Sequence, residues 1–275
     1  MMIKGGIRIG GLGISGYDAD AAAYFDRAGV TDTTAKTQIN AFVKGVKDLG
    51  LYNNMLCWPL RSAQNAGTGA TAYSLGGLQT ANATLVNDST WTADGTPFTT
   101  TQYANATISD PEQDLTLLLV AAGSGANYSA FPQFYGVQGS SGFVNNQFTM
   151  GDIAGSSTGI AALCGNSASF QNSGNIISGL SGSTSFRFIS ASAKTSTVLN
   201  IKRLDISSES SGTPVSAGTT TRTRMHLNGR WTGVQGLGVE MTCAFCGIIA
   251  PNINSSESSI YTLYKNTIGT GLGLP

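Results

Sequence analysis

GGLGISGYDADAAAYFDRAGVTD, residues 10–32, carries the spacing G-x-G-x-x-G at Gly11, Gly13 and Gly16, and Asp32 lies 21 residues after the first of these glycines. Strand, glycine turn, helix and ribose-binding acid together would make a dinucleotide-binding α/β fold. That fold needs a second buried strand between helix and acid, and here only AGVT (28–31) separates two helical patterns. Its first strand is a near-continuous apolar run, whereas Lys4 and Arg8 interrupt IKGGIRIG (3–10). The glycines therefore read as a hinge between two segments rather than a phosphate cradle.

On one side of the hinge, residues 1–16 form an extended arm whose first large apolar side chains are Ile3, Ile7 and Ile9. On the other, Asp18 is placed to cap a helix through about Arg27, stopped by Gly29. Thr31 or Asp32 caps a second helix, with Ala35, Ile39, Phe42, Val43, Val46 and Leu49 in a one-sided stripe closed by Gly50. Residues 17–60 thus read as a helical hairpin, with Pro59 ending anything helical.

Beyond residue 60 the texture is strand and turn. LTLLLVAAG (115–123) is a continuous apolar run, the pattern of a strand buried on both faces. TGIAALCG, TSFRFISAS, TSTVLNIKRLDI, TTTRTRMHL and GVEMTCAFCGIIA follow, with turn residues every 8–14 positions. That spacing predicts an antiparallel β-sandwich of the jelly-roll kind over 61–275. Ser255 or Ser256 caps a short C-terminal helix over about 256–266, with Ile260, Leu263 and Tyr264 on one face. The fold class expected is mainly β, preceded by the arm and the hairpin.

Charged residues make up 11% of the chain, against roughly 25% in an ordinary soluble domain, and Lys plus Arg equals Asp plus Glu at 15 each. Such a chain has no long-range field to steer it onto nucleic acid or an anionic membrane. No stretch reaches the roughly 18 apolar residues of a membrane span, so membrane insertion is not expected. The four cysteines (Cys57, Cys164, Cys243 and Cys246) are too sparse for a disulfide framework, which points to reduced thiols and cytosolic synthesis. With 11 Phe and 9 Tyr in regular alternation, the chain has the apolar area to fold.

The chemical motifs are thin. Cys243 and Cys246 form a C-x-x-C in a strand pattern, where positions three apart point to opposite faces; they read as buried structural thiols. His226 is the only histidine and alternates with Arg222 and Arg224, as a half-exposed strand residue does. Glycoside hydrolysis needs two close carboxylates, but Glu112 sits beside Pro111 in a loop and Glu240 has no acidic neighbour. No catalytic residue, cofactor or metal ligand is assigned, and the protein is expected not to be an enzyme. Trp91, Tyr103, Tyr135 and Trp231 are candidates for stacking on sugar rings.

DADAAAYFDRAGVTDTTAKTQINAFVKGVKDLGLYNNM, with AYSLGGL and the closing IYTLYKNTIGTGLG, resembles LamG-like (concanavalin A-like) proteins of tailed bacteriophages. DGTPFTTTQYANATI before DLTLLLVAA looks like the segment leading into a sandwich strand in that family. The resemblance implies a helical hairpin before a jelly-roll sandwich, and a structural role in the virion as capsid decoration, head fibre or tail fibre. The partners it implies are other virion proteins, further copies of the chain in a homotrimer, and a host surface glycan; the extended arm itself reads as a partner contact through Ile3, Ile7 and Ile9. The place it implies is the surface of the particle, after synthesis in the bacterial host cytoplasm. A carbohydrate-binding lectin is the alternative reading, and a glycan hydrolase the third. The calcium ligands that family members carry have no matching acidic cluster here.

Overall fold

The computed structural model describes residues 16–87, 89–109, 114–125, 133–139, 147–152, 159–165, 176–178, 180, 183–194, 198–212, 222–229, 239–250 and 256–275. Its helices are α1 (Ala19–Ala28), α2 (Thr33–Asp48) and α3 (Glu257–Asn266). Its strands are β1 (Met55–Pro59), β2 (Thr71–Ala72), β3 (Ala83–Val86), β4 (Thr96–Phe98), β5 (Tyr103–Thr107), β6 (Leu115–Gly123), β7 (Gln133–Gly139) and β8 (Gln147–Asp152). They continue with β9 (Gly159–Gly165), β10 (Ile176–Ser178), β11 (Arg187–Lys194), β12 (Val198–Arg203), β13 (Ser208–Gly212), β14 (Arg222–Leu227) and β15 (Met241–Ile249). All pairings are antiparallel, and they make two sheets. The back sheet runs β1-β15-β6-β11-β12-β13 with β4 beside β15, and the front sheet runs β10-β9-β8-β7-β14-β5-β3-β2. This is the mainly β, antiparallel sandwich that the turn spacing predicts.

The helical hairpin forms where local signals place it. Asp18 accepts a hydrogen bond from the Asp20 N–H (3.0 Å), and Gly29 ends α1 in the left-handed region at φ 64°. Asp32 accepts from the Ala35 N–H (2.7 Å) to start α2. Lys47 reaches back from α2 to Asp18 (2.7 Å) and the Asn40 carboxamide oxygen accepts from the Asp18 N–H (2.7 Å), so the start of α1 is tied to α2 away from their connecting loop. Residues 55–59, assigned from sequence to the hairpin segment, instead form β1 and pair with β15 from Met55↔Ile249 to Pro59↔Phe245. Pro59 fits there because a strand end on a sheet edge needs no N–H from it.

The back sheet separates two cores. Leu115, Leu117, Leu119 and Ala121 of β6 point between the sheets, while Leu118 and Val120 point outward beneath the helices. Ile39, Phe42, Val43 and Val46 of α2 cover them with Ile260 and Tyr264 of α3. An aromatic chain joins the layers: Phe42 meets Phe245 edge-on (6.0 Å), Phe245 meets Tyr264 (5.0 Å) and Tyr264 meets Phe188 (5.3 Å). Each such side chain contributes about 1.5–3 kcal/mol by leaving water.

β15 departs from simple alternation. Cys243 pairs with Ala121 and Phe245 with Val120, so Ala244 is an extra residue in a bulge. The bulge turns the Ala244 carbonyl towards the Leu60 N–H (2.9 Å). It also corrects the expectation for the C-x-x-C: Cys243 and Cys246 lie on the same, inward face. Both thiols are free and buried. Burial, then the neighbouring Cys243 sulfur, pushes the Cys246 thiol well above its ordinary value, so it is inert as a nucleophile.

Where α3 begins, the apolar cover gives way to a buried polar cluster. Ser256 makes no side-chain capping bond. Glu257, 2% exposed, accepts from the Ser192 hydroxyl (2.6 Å) and pairs with Lys202 (2.9 Å), and Ser192 lies 2.9 Å from Thr116. Removing Glu257 leaves Lys202, 16% exposed, with only the half-exposed Glu209 at 3.4 Å among the described residues, and leaves the buried Ser192 hydroxyl without its acceptor. Glu257→Ala should therefore lower stability by about 3 kcal/mol in urea unfolding, and Glu257→Gln, which keeps an acceptor for Ser192, by less. Equal midpoints for wild type and Glu257→Ala would show that the cluster does not hold α3 to the sheet.

Candidate functional site

The three helices all lie on the back sheet. The front sheet has no helical cover among the described residues, and its outward face is the polar one. Register fixes which residues share that face. Ala104 and Ala106 of β5 and Met225 and Leu227 of β14 point into the core, so Tyr103, Asn105 and Thr107, with Arg224 and His226, point out. One row crosses five strands: Thr84 pairs with Asn105, Asn105 with His226, His226 with Gly136, and Gly136 with Thr149. Glycine is required in this row. A Cβ on Gly136 would come within 2.5 Å of the Thr149 methyl and 2.6 Å of the Phe148 carbonyl oxygen.

Between β5 and β14 this face holds a pocket of about 160 Å³, lined by Asn105, Thr107, Arg224, His226 and the strands at Ala106 and Met225. His226 is 3% exposed, and neither Nδ1 nor Nε2 has a hydrogen-bond partner. The Thr149 hydroxyl in the same row is also buried without one. Burial pushes the His226 imidazole down to about 3, which keeps it neutral: one ring nitrogen donates and the other accepts. The lining contains no carboxylate, so it offers an amide, a hydroxyl, a guanidinium and an imidazole, but no pair for acid–base hydrolysis. Sequence reasoning places His226 as half-exposed; the structure buries it.

Of the aromatic residues singled out for sugar stacking, Tyr103 lies on this outward face, two positions from Asn105, and is half-buried. Tyr135 is corrected: it is fully buried between the sheets, with no ring face for a ligand. Its pairing opposite Leu227 and Met150 puts it on the inner side. Trp91 packs partly against the inter-sheet core and donates from Nε1 to the Gly69 carbonyl (3.0 Å). It lies apart from the row. Trp231, Ile3, Ile7, Ile9 and Glu112 lie outside the described residues. Glu240 is exposed. Among the described residues, no group of three or more His, Cys, Asp or Glu could hold a metal ion.

No protein-family model matches the chain, and no curated protein matches it. Solved structures share its fold. A Trypanosoma rangeli sialidase in complex with 2,3-difluorosialic acid, a covalent intermediate, superposes with TM-score 0.58 at 13% identity over 86% of this chain and 39% of the sialidase. The botulinum neurotoxin serotype C1 binding domain superposes with TM-score 0.53 at 9% identity over 77% of this chain and 52% of that one. The chain therefore spans about half or less of the length of these neighbours. The likeness is one of fold, a β-sandwich.

The buried neutral imidazole carries a pH signature. Its folded value lies below the unfolded one of 6.5, so below pH 6.5 the unfolded chain takes up the proton first and stability falls with pH until about pH 3. Lowering the pH from 7 to 5 should remove about 2 kcal/mol of stability through this residue alone. Urea unfolding of wild type and His226→Phe at both pH values checks it. The variant should lose less, and equal losses would place His226 in contact with solvent or a partner.

Proposed function

We propose that this chain is a non-enzymatic glycan-recognition module of a bacteriophage particle, seated by its helical side and arm and presenting the front sheet outward. The observation that carries the reading is the one-sidedness of the sandwich. Tyr17 and α1 pack into the core on the side where the helices cover the back sheet, and the polar row faces the opposite way. Low charge fits this role: a surface of amides, hydroxyls and neutral imidazole recognises sugar hydroxyls by hydrogen bonding rather than by field. Further support comes from the sandwich neighbours, one solved with a fluorinated sialic acid and the other a toxin's binding domain. The resemblance of the hairpin and C-terminal segments to LamG-like phage proteins gives the setting. Ile3, Ile7 and Ile9 are the proposed contacts with virion partners, adding backbone hydrogen bonds as an extended arm does, and the functional unit is a homotrimer.

Purified chain screened on arrays of bacterial surface glycans should bind at least one. Tyr103→Ala should weaken that binding tenfold or more while leaving the unfolding midpoint unchanged, and Trp91→Ala should weaken it less. Ile3→Asp with Ile7→Asp and Ile9→Asp should keep glycan binding but lose attachment to particles that lack the chain. An array with no signal removes the recognition role. Unimpaired attachment by the triple variant removes the arm as anchor.

A further inference from the structure

We propose that the pocket between β5 and β14 is a subsite for one neutral sugar ring, in which His226 holds two neighbouring hydroxyls of the ligand. This rests on the glycan-recognition reading above and assigns its site and sugar class. The row of Thr84, Asn105, His226, Gly136 and Thr149 has a single member with two unsatisfied polar atoms on one buried ring. A buried polar atom without a partner costs about 1–3 kcal/mol, and His226 carries two such atoms while lining a pocket with room for a small ligand.

The chemistry of the ring selects the ligand. A neutral imidazole presents one N–H and one bare nitrogen, so both are satisfied only by a partner that accepts at one point and donates at another. Two hydroxyls on adjacent carbons do this. A carboxylate only accepts, and an ammonium only donates, so either leaves one ring nitrogen unsatisfied. Asn105, directly across the ladder from His226, presents the same duality with its amide oxygen and NH₂. Thr107 pairs across from Arg224 at the next outward level, and its hydroxyl borders the pocket. Beside the Arg224 guanidinium, which only donates and which a hydroxyl oxygen can answer, the lining contains three groups that each donate and accept, a set that a polyol satisfies.

His226 is the only histidine of the chain, so in the ¹⁵N-labelled full-length protein the imidazole nitrogens give a single pair of signals. Titration with methyl α-glucoside, methyl α-galactoside and methyl α-mannoside, with acetate as the probe that only accepts, should move both nitrogens saturably for at least one neutral sugar. Acetate should move them at least tenfold more weakly. His226→Phe and Asn105→Ala should each weaken the neutral sugar tenfold or more, the second serving if the first fails to fold. Unmoved imidazole signals in a protein that still binds glycans on the array overturn the subsite and leave the recognition role standing. Equal or tighter binding of acetate overturns the assignment to a pair of hydroxyls. Loss of all array binding is the separate result that removes the recognition role itself.

Discussion

Leu117 and Leu118 are neighbours on β6, yet the first belongs to the core between the sheets and the second to the core beneath the helices. A strand that is apolar on both faces cannot sit in a two-layer sandwich with one side in water, because several large side chains would be left exposed. The hairpin and α3 are thus demanded by β6 and by its neighbour β15, whose Phe245 and Ile249 point the same way as Leu118. The chain supplies the cover from both of its ends. The final residues are tied in as well: Arg61 donates to the Ile268 and Thr270 carbonyls (3.0 and 2.8 Å) and Gln64 to Ile268 (2.8 Å).

That one constraint makes the molecule two-sided. The back is consumed by packing, so whatever the protein recognises through a sheet must meet the front. There the alternation is inward apolar and outward polar, the ordinary pattern of an antiparallel sheet with one face on the core. What departs from the ordinary is the level at His226, where the outward residue is as buried as a core residue and is flanked across the ladder by an amide on one side and a glycine on the other. The glycine is there because the Thr149 side chain and the Phe148 carbonyl already occupy the place of its Cβ.

The parts legible in the sequence were those written in local signals. Asp18, Gly29, Asp32 and the Ile39–Phe42–Val43–Val46 stripe define α1 and α2 without reference to anything distant, and LTLLLVAAG announces a strand with two buried faces. The parts not legible depend on register between remote strands. Tyr103 and Tyr135 look alike in sequence, but pairing against Leu227 and Met150 sends Tyr135 into the core. The same-face placement of Cys243 and Cys246 follows from a bulge at Ala244 that answers Leu60. β13, reading SESSG, has no apolar signal at all and is a strand only because β12 offers it an edge. The row through His226 needed five strands in register before it existed.

The size of the His226 pocket also sets what kind of recognition it can support. A single sugar ring has about a dozen heavy atoms, and polar ligands of that size realise on the order of 0.3 kcal/mol per atom, or roughly 4 kcal/mol in all, which is a millimolar dissociation constant. With no net charge to raise the encounter rate, nothing electrostatic lifts that figure. A site of this strength becomes useful only when several copies engage one surface together, since linked sites gain orders of magnitude in avidity without any new contact. A front sheet facing outward on a trimer, repeated over a particle, meets that requirement; a lone monomer does not. The weakness of the pocket and the proposed particle-borne setting are therefore consistent with each other for a physical reason, and the stability surrendered by leaving a neutral imidazole without a protein partner is a cost that a ligand at that site would offset.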